Sequence, residues 1–219
     1  MKDEYRHLYR FNYPIDKEAL YKEKEIMESA DTILHTVNTE LLERVANGRH
    51  VDGAEDIFPK YHDLKDKKRW DEIDSWTIRA FGMDKNYNEY EAFQECHEMK
   101  RISEELTRVV GSSGGNDMVP YFLMQEQETE VPMHVDMGFK CAINIIVDGG
   151  SDTPVMFRDE DGTETEYFYN SALLNVCEVF HGVPVQKNVK RMILKFRIVD
   201  VDYSTALKRM IEYFGWYIN

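Results

Sequence analysis

The sequence predicts an α+β protein with a mainly β core, in which helices brace an antiparallel sandwich or barrel. A contrast in residue pattern between the two halves of the chain supports this prediction. Residues 1–117 are rich in Lys, Glu, Leu and Met with helical apolar spacing, whereas the chain from Met118 consists of short apolar runs between turn residues. The length of 219 residues fits one domain, and 42% apolar residues can fill its core.

Two helices are predicted in the first half of the chain. Asp16 can cap a helix that starts at the next residue, and apolar steps of three, four and seven residues continue it through Val45. A second helix is predicted from about Tyr87, and Gly111 ends it. We therefore expect residues 1–117 to form a helical extension that braces the sheet within one structural domain.

Residues 118–219 are predicted to form eight strands and a closing helix. Turn residues such as Asp148-Gly149-Gly150 separate the apolar runs. Many short strands with close turns are typical of an antiparallel sandwich or barrel. The predicted strands are Val119–Gln125, Val131–His134, Lys140–Val147, Val155–Arg158, Thr163–Tyr169, Ala172–Val176, Val183–Gln186 and Arg191–Val199, and the helix runs from about Ser204 to Phe214.

The charge excludes several classes of partner. The chain has 27 basic and 41 acidic residues and a formal net charge of −14, so bulk nucleic-acid binding and a membrane partner are not expected. No run approaches the roughly 20 apolar residues of a membrane span, and the N-terminus lacks the apolar region of a signal peptide. Cys96, Cys141 and Cys177 have no metal-binding spacing, which predicts reduced thiols in a cytoplasmic protein.

The candidate chemistry lies in the β-rich half. His134 and Asp136 are two residues apart, so they share a face of a strand, and His181 lies near the end of another predicted strand. Two imidazoles and a carboxylate form the facial triad of non-haem Fe(II) oxygenases, which leaves metal positions open for other ligands. A His-X-Asp pair by itself is also typical of a surface histidine hydrogen-bonded to aspartate.

Arg191 follows His181 by ten positions and opens the last predicted strand. A guanidinium there can hold a carboxylate through two hydrogen bonds, as a dicarboxylate cosubstrate that chelates a metal at its other end would require. An exposed ion pair is the alternative in a chain with surplus acid. Lys190 and Lys195 compete for the cosubstrate role, and Lys195 shares the strand face of Arg191.

Together these residues resemble the Fe(II)/2-oxoglutarate-dependent oxygenases, which fold as a double-stranded β-helix, a cupin-like jelly roll. The resemblance covers roughly residues 118–200 and looks most like the aspartyl/asparaginyl β-hydroxylase-like branch, including its phage-type members. In a phage-type protein, the cytoplasm would be that of the infected host. The segments that carry the resemblance are His134-Val-Asp136, Cys141-Ala-Ile-Asn-Ile145, Ala172-Leu-Leu-Asn175, His181-Gly-Val183 and Arg191-Met-Ile-Leu194.

The resemblance implies a role for six residues. His134, Asp136 and His181 would be the catalytic metal centre that binds Fe(II). Arg191 would bind the distal carboxylate of 2-oxoglutarate. Two further contacts to this cosubstrate would come from polar side chains: Asn144, on the strand after the His-X-Asp motif, and Gln125, nine positions before His134. A buried amide satisfied by the backbone is the alternative for Asn144.

Two departures separate this chain from the best-known aspartyl/asparaginyl β-hydroxylases. Those enzymes lack the metal-binding carboxylate, whereas this sequence has Asp136. They also carry basic residues on the strand where this chain reads Ala142-Ile-Asn-Ile145. The complete iron triad is therefore better supported by the sequence than hydroxylation of Asp or Asn.

The resemblance implies an Fe(II)- and 2-oxoglutarate-dependent dioxygenase that hydroxylates a small molecule or an amino-acid or peptide side chain, with succinate and CO2 as coproducts. Two alternatives remain open from the residues. One is a cupin-like metalloenzyme that does not use 2-oxoglutarate and has no need of Arg191. The other is a non-catalytic β-sandwich that serves as a binding or structural module.

Overall fold

The computed structural model of the chain describes most of the β-rich half and three segments of helix. The described residues are 3–29, 33–34, 78–82, 92–113, 118–125, 131–136, 139–150, 153–184 and 190–216. Predicted helical residues 35–45 and 87–91 and strand residues 185–186 lie outside these ranges. Within them, the mixture of helices and antiparallel sheets is as the sequence predicts.

The described strands and helices are numbered in chain order. A short 3-10 helix, Asp3–Arg6, precedes them. The helices are α1 (Lys17–Ser29), α2 (His97–Val110) and α3 (Tyr203–Phe214). The strands are β1 (Leu8–Arg10), β2 (Ile33–Leu34), β3 (Ile78–Gly82), β4 (Met118–Gln125), β5 (Val131–His134), β6 (Cys141–Asp148), β7 (Val155–Arg158), β8 (Glu164–Tyr167), β9 (Ser171–Leu174), β10 (Phe180–Val183) and β11 (Arg191–Ile198).

The strands form two sheets. The larger sheet has seven strands in the order β1-β9-β6-β11-β4-β3-β2, and the smaller has four in the order β5-β10-β7-β8. All strand pairs are antiparallel. From β4 onward, the chain passes repeatedly between the sheets, so strands close in sequence contribute to both. The first 117 residues, which were expected to be helical, also contribute strands to the larger sheet: β1, β2 and β3.

Two predicted elements are wrong in their bounds. The first predicted helix ends at Ser29. Ile33 fits the apolar stripe of that predicted helix, but it pairs with Phe81 in the larger sheet. The strand predicted at Val183–Gln186 lies earlier, at Phe180–Val183. In both cases pairing with a neighbouring strand outweighs the local sequence pattern.

Three of the described helix ends follow capping rules. The Asp16 carboxylate accepts a hydrogen bond from the Ala19 amide at 3.0 Å, as predicted for the start of α1. Gly111 ends α2 in the left-handed region at φ 68°, a conformation that favours glycine. Asp202 caps α3 by accepting from the Thr205 amide at 2.9 Å.

The central strands of the larger sheet are buried on both faces. In β6, Ile143 and Ile145 pack in one apolar cluster with the three helices, whereas Ala142 and Ile146 pack in a second cluster with Phe157 of the smaller sheet. Alternate residues of one strand therefore face the helices and the space between the sheets. This explains why β6 reads as an almost continuous apolar run.

Cys96, Cys141 and Cys177 form no disulfide, as predicted. Burial raises the pKa of the Cys96 thiol to about 12, and acidic neighbours including Glu23 add to this. Burial likewise raises the pKa of Cys177 to about 12. These thiols therefore remain protonated near neutral pH. Among the described helices, none has the length and apolar character needed to cross a membrane.

Candidate metal centre

Adjacent strands bring the two candidate histidines together. His134 is the last residue of β5, and its backbone pairs directly with that of His181 in β10. Their rings lie 4.2 Å apart between centroids. Gly182 permits this close pairing, because a Cβ there would lie 2.8 Å from the Val131 carbonyl oxygen and from the Met133 sulfur. The pairing of β5 with β10 therefore brings together two histidines that are far apart in the sequence.

Asp136 completes the cluster immediately beyond β5. Its backbone amide donates to the Val176 carbonyl at 2.8 Å, which ties it to the turn between β9 and β10. Its Oδ1 lies 3.3 Å from His134 Nε2, and its Oδ2 lies 3.8 Å from His181 Nε2. One ligand atom from each of the three side chains lies within 4.8 Å of the others. The structure therefore brings together the three side chains that the sequence predicts.

A fourth side chain, Lys195 of β11, enters this cluster from the larger sheet. Its ammonium donates to Asp136 Oδ2 at 2.8 Å. Burial alone would raise the pKa of Asp136, but Lys195 and the two histidines hold it well below its usual value. Asp136 is consequently an ionised carboxylate near neutral pH, which is the form that binds metals.

His181 is kept neutral by its surroundings. Its side chain is 8% exposed, and burial together with nearby His134 lowers its pKa to about 3, although Asp136 acts in the opposite direction. A neutral imidazole retains the nitrogen lone pair that a metal requires. The charge state of His181 therefore suits coordination throughout the neutral range.

Arg191 lies on the larger sheet as the first residue of β11. It is only 1% exposed, and no carboxylate of the described chain lies within salt-bridge range of its guanidinium. Its Nη2 donates to the Tyr169 hydroxyl at 3.1 Å, while its Nε has no partner among the described residues. A buried cation with an unused donor is a suitable partner for a carboxylate. The alternative of an exposed ion pair is wrong.

The two predicted polar contacts lie next to this guanidinium. Asn144 of β6 donates from Nδ2 to the same Tyr169 hydroxyl at 3.1 Å, and its buried Oδ1 has no partner among the described residues. Gln125 is 3% exposed, and its backbone pairs with that of Arg191 between β4 and β11. The structure thus collects Asn144, Gln125 and Arg191 on neighbouring strands of the larger sheet.

The residues present fit both an iron ion and a dicarboxylate. Two imidazoles and an ionised carboxylate supply the nitrogen and oxygen donors that suit Fe(II). The cluster belongs to the smaller sheet, whereas Arg191 belongs to the larger one. The donor set and the buried guanidinium therefore lie on different sheets.

Two features of the site escape the sequence analysis. Tyr169 follows β8, and nothing in its local pattern marks its hydroxyl as the acceptor shared by Arg191 and Asn144. Lys195 was considered only as a competitor of Arg191, not as the partner of Asp136. Its even spacing from Arg191 predicts which strand face carries Lys195. The contact between Lys195 and Asp136, however, depends on how closely the two sheets approach each other.

Comparison with solved structures finds matches at low sequence identity. A prolyl-4-hydroxylase from Pseudomonas putida is 12% identical over 90% of this chain and 95% of its own, with a TM-score of 0.48. A 2OG-Fe(II) oxygenase family oxidoreductase from Burkholderia pseudomallei is 10% identical over 55% of this chain and 67% of its own, with a TM-score of 0.40. Vicilin from the hazelnut Corylus avellana is 9% identical over 55% of this chain and 29% of its own, with a TM-score of 0.35.

No protein-family profile matches the sequence, and no curated protein matches it. The structural likenesses include two proteins described as oxygenases or hydroxylases and one seed protein. With TM-scores of 0.48 and below, they leave the function to be inferred from the site.

Proposed function

We propose that the protein is a non-haem Fe(II)- and 2-oxoglutarate-dependent oxygenase. The observation that carries this proposal is the convergence of His134, Asp136 and His181, whose ligand atoms lie within 4.8 Å of one another. The three side chains would hold iron through two nitrogens and one oxygen, leaving positions open for further ligands.

Arg191 supports the use of 2-oxoglutarate in particular. A buried guanidinium without a carboxylate partner in the described chain is costly unless a ligand supplies the anion. Arg191 would hold the distal carboxylate of the cosubstrate, while Tyr169 orients the guanidinium through its hydroxyl. Asn144 and Gln125 would line the same pocket. A metalloenzyme that does not use 2-oxoglutarate would have no use for this buried cation.

The fold assignment proposed with this function is a double-stranded β-helix formed by β4 to β11. Its support is the alternation of these strands between two facing antiparallel sheets, with the site residues on the inner faces. Bound iron and cosubstrate supply the oxidative chemistry, with succinate and CO2 as coproducts. The residues of this chain orient both ligands, and Phe157 and Ile193 help to exclude water between the sheets.

The substrate class proposed is a small molecule or an amino-acid or peptide side chain. Hydroxylation of Asp or Asn is one form of this proposal, based on the sequence resemblance alone. A screen of free amino acids and short peptides, with succinate formation and a mass increase of one oxygen atom as the two readouts, tests it. An active protein that oxidises only small molecules without an amino-acid side chain would contradict the Asp or Asn form and restrict the proposal to small molecules.

The first experiment is an anaerobic titration of the protein with Fe(II) and 2-oxoglutarate, monitored in the visible range. We expect a metal-to-ligand charge-transfer band that is lost in His134→Ala and in Asp136→Ala. His97→Ala is the matched control, because His97 is an exposed histidine at the start of α2 and should leave the band unchanged.

Two outcomes would contradict parts of the proposal. Iron binding without the band, and without any effect of Arg191→Gln on 2-oxoglutarate affinity, would favour the cupin-like metalloenzyme. Absence of iron binding by the purified wild-type protein would contradict both enzymes and favour the non-catalytic module.

A further inference from the structure

The strongest unexplained feature of the candidate metal centre is the ion pair that one of its ligands already makes. Lys195 Nζ lies 2.8 Å from Asp136 Oδ2, the oxygen that faces His181. The side chains of Lys195 and Asp136 are only 16% and 18% exposed, so solvent screens their interaction weakly. The pair also links the two sheets, since Lys195 belongs to β11 of the larger sheet.

This ammonium and a bound metal ion compete for the same carboxylate. A transition-metal ion binds a carboxylate oxygen at about 2 Å, so on Oδ2 it would lie at most about 5 Å from the ammonium in its present position. Repulsion between the two cations is strong at that range in a partly buried site. Metal binding through Asp136 Oδ2, the oxygen that faces His181, therefore requires Lys195 to move.

The neighbouring strand offers a place for the displaced ammonium. Lys195 and Asn144 are direct cross-strand partners between β11 and β6, so their side chains stand on one face with Cβ atoms roughly 5 Å apart. Asn144 Oδ1 is buried and has no partner among the described residues, so it can accept from an ammonium. The Phe139 ring, with its centroid 5.2 Å from Nζ, offers a second favourable contact for the cation.

We propose that Lys195 is a displaceable positioning residue that sets the metal affinity of the centre by moving between Asp136 and Asn144. Paired with Asp136, the ammonium orients the carboxylate toward the two histidines. When a divalent metal ion binds Asp136 through Oδ2, the ammonium moves to Asn144 Oδ1 and stays in the site. The inference rests on the proposed function, because it takes the three side chains as metal ligands.

The test measures metal affinity directly. Protein stripped of metal is titrated anaerobically with Co(II), followed by the visible absorbance of the bound ion, with neither 2-oxoglutarate nor substrate present. Lys195→Met removes the charge and keeps the length of the side chain, and we expect it to tighten Co(II) binding tenfold or more. Lys195→Arg keeps a cation beside Asp136, so it should not tighten Co(II) binding. Lys190→Met is the matched control for loss of a lysine, because Lys190 is an exposed residue just before β11.

A double-mutant cycle separates this role from a general packing effect. Asn144→Ala removes the second position of the ammonium, so it should weaken Co(II) binding severalfold in the wild-type background. In the Lys195→Met background, the same substitution should have no effect on Co(II) affinity. An undiminished effect of Asn144→Ala in the Lys195→Met background would show that Asn144 does not act through the ammonium.

The outcomes distinguish this inference from the proposed function. Equal Co(II) affinity of the wild type and Lys195→Met, or weaker binding by Lys195→Met, overturns the inference and leaves the proposed function intact. Co(II) binding by neither protein overturns the proposed function, and the inference falls with it. If Lys195→Met fails to fold, Lys195→Gln is used with the same expected tightening.

Discussion

At the scale of single residues, Tyr169 connects the parts of the proposed cosubstrate pocket. Its hydroxyl oxygen accepts from Arg191 Nη2 and from Asn144 Nδ2, both at 3.1 Å, and the side chain is 6% exposed. The guanidinium carbon also lies 5.7 Å from the ring centroid. One phenol therefore fixes the direction of the cation and of the amide that face the space between the sheets.

Replacement of Tyr169 by Phe should weaken 2-oxoglutarate binding and the fold together. The change leaves two buried donors without their acceptor, which costs about 1–3 kcal/mol in the free energy of unfolding. We expect 2-oxoglutarate affinity, measured by calorimetry on protein loaded with Mn(II), to fall about tenfold while Mn(II) affinity is unchanged. Tyr213→Phe on the exposed part of α3 is the control. Unchanged 2-oxoglutarate affinity would remove Tyr169 from the pocket.

Residue types and spacing are enough to predict the cluster of His134, Asp136 and His181, but not the side chains that surround it. His134, Asp136, His181 and Arg191 are recognisable because their chemistry is unusual for strand positions and their order along the chain is typical of a known family. Tyr169 belongs to a residue type common in strands, and its role depends on contacts with two other strands. Such a role arises only when the sheets are assembled.

At the scale of elements, a side chain from another helix performs the capping of α2. The N-cap residue Cys96 makes no side-chain cap hydrogen bond. Instead the buried carboxylate of Glu23 in α1 accepts from the amides of Glu98 at 2.6 Å and Met99 at 2.8 Å. A carboxylate at this end also interacts favourably with the helix dipole. The first two helices are thus joined by a capping interaction that no local motif predicts.

Glu23→Ala should destabilise the protein by about 1–2 kcal/mol, the usual effect of losing a helix cap. Glu23→Gln keeps one acceptor oxygen, so its effect on the free energy of unfolding should be smaller. Urea denaturation followed by circular dichroism measures both, with the exposed Glu18→Gln of α1 as the control. If Glu23→Ala unfolds at the wild-type urea concentration, the carboxylate does not hold the helix.

The elements that were mispredicted are those whose identity depends on a distant partner. Ile33 fits a helical apolar stripe, yet it pairs with Phe81 at the end of the larger sheet. The strand that carries His181 includes Gly182, a residue that weakens strand prediction, although its missing side chain is what admits β5. By contrast α3 and β11 are predicted almost to the residue, because each is marked by local residues: a cap at Asp202 before α3, and apolar residues that alternate with basic ones from Leu194 in β11.

At the scale of the whole molecule, the proposed ligands would bridge the two sheets in two steps. The proposed metal ligands lie on or next to β5 and β10 of the smaller sheet, whereas Arg191 lies on β11 of the larger one. Metal binding alone therefore joins side chains within one sheet. A dicarboxylate that chelates this metal and reaches Arg191 would connect both sheets.

The Tm of the protein should consequently rise in two increments, one for each ligand. Different substitutions should remove different increments. Mn(II) alone, at about a hundred times its dissociation constant, should raise the Tm of the wild type by about 5–10 °C, and 2-oxoglutarate should add a second increment. Arg191→Gln should keep the first increment and lose most of the second, because it preserves the metal ligands and removes the cation of the larger sheet. His134→Ala should lose both. Lys190→Met, the neighbouring control, should retain both increments. A full second increment in Arg191→Gln would show that the cosubstrate is held within the smaller sheet, contrary to the bridging arrangement.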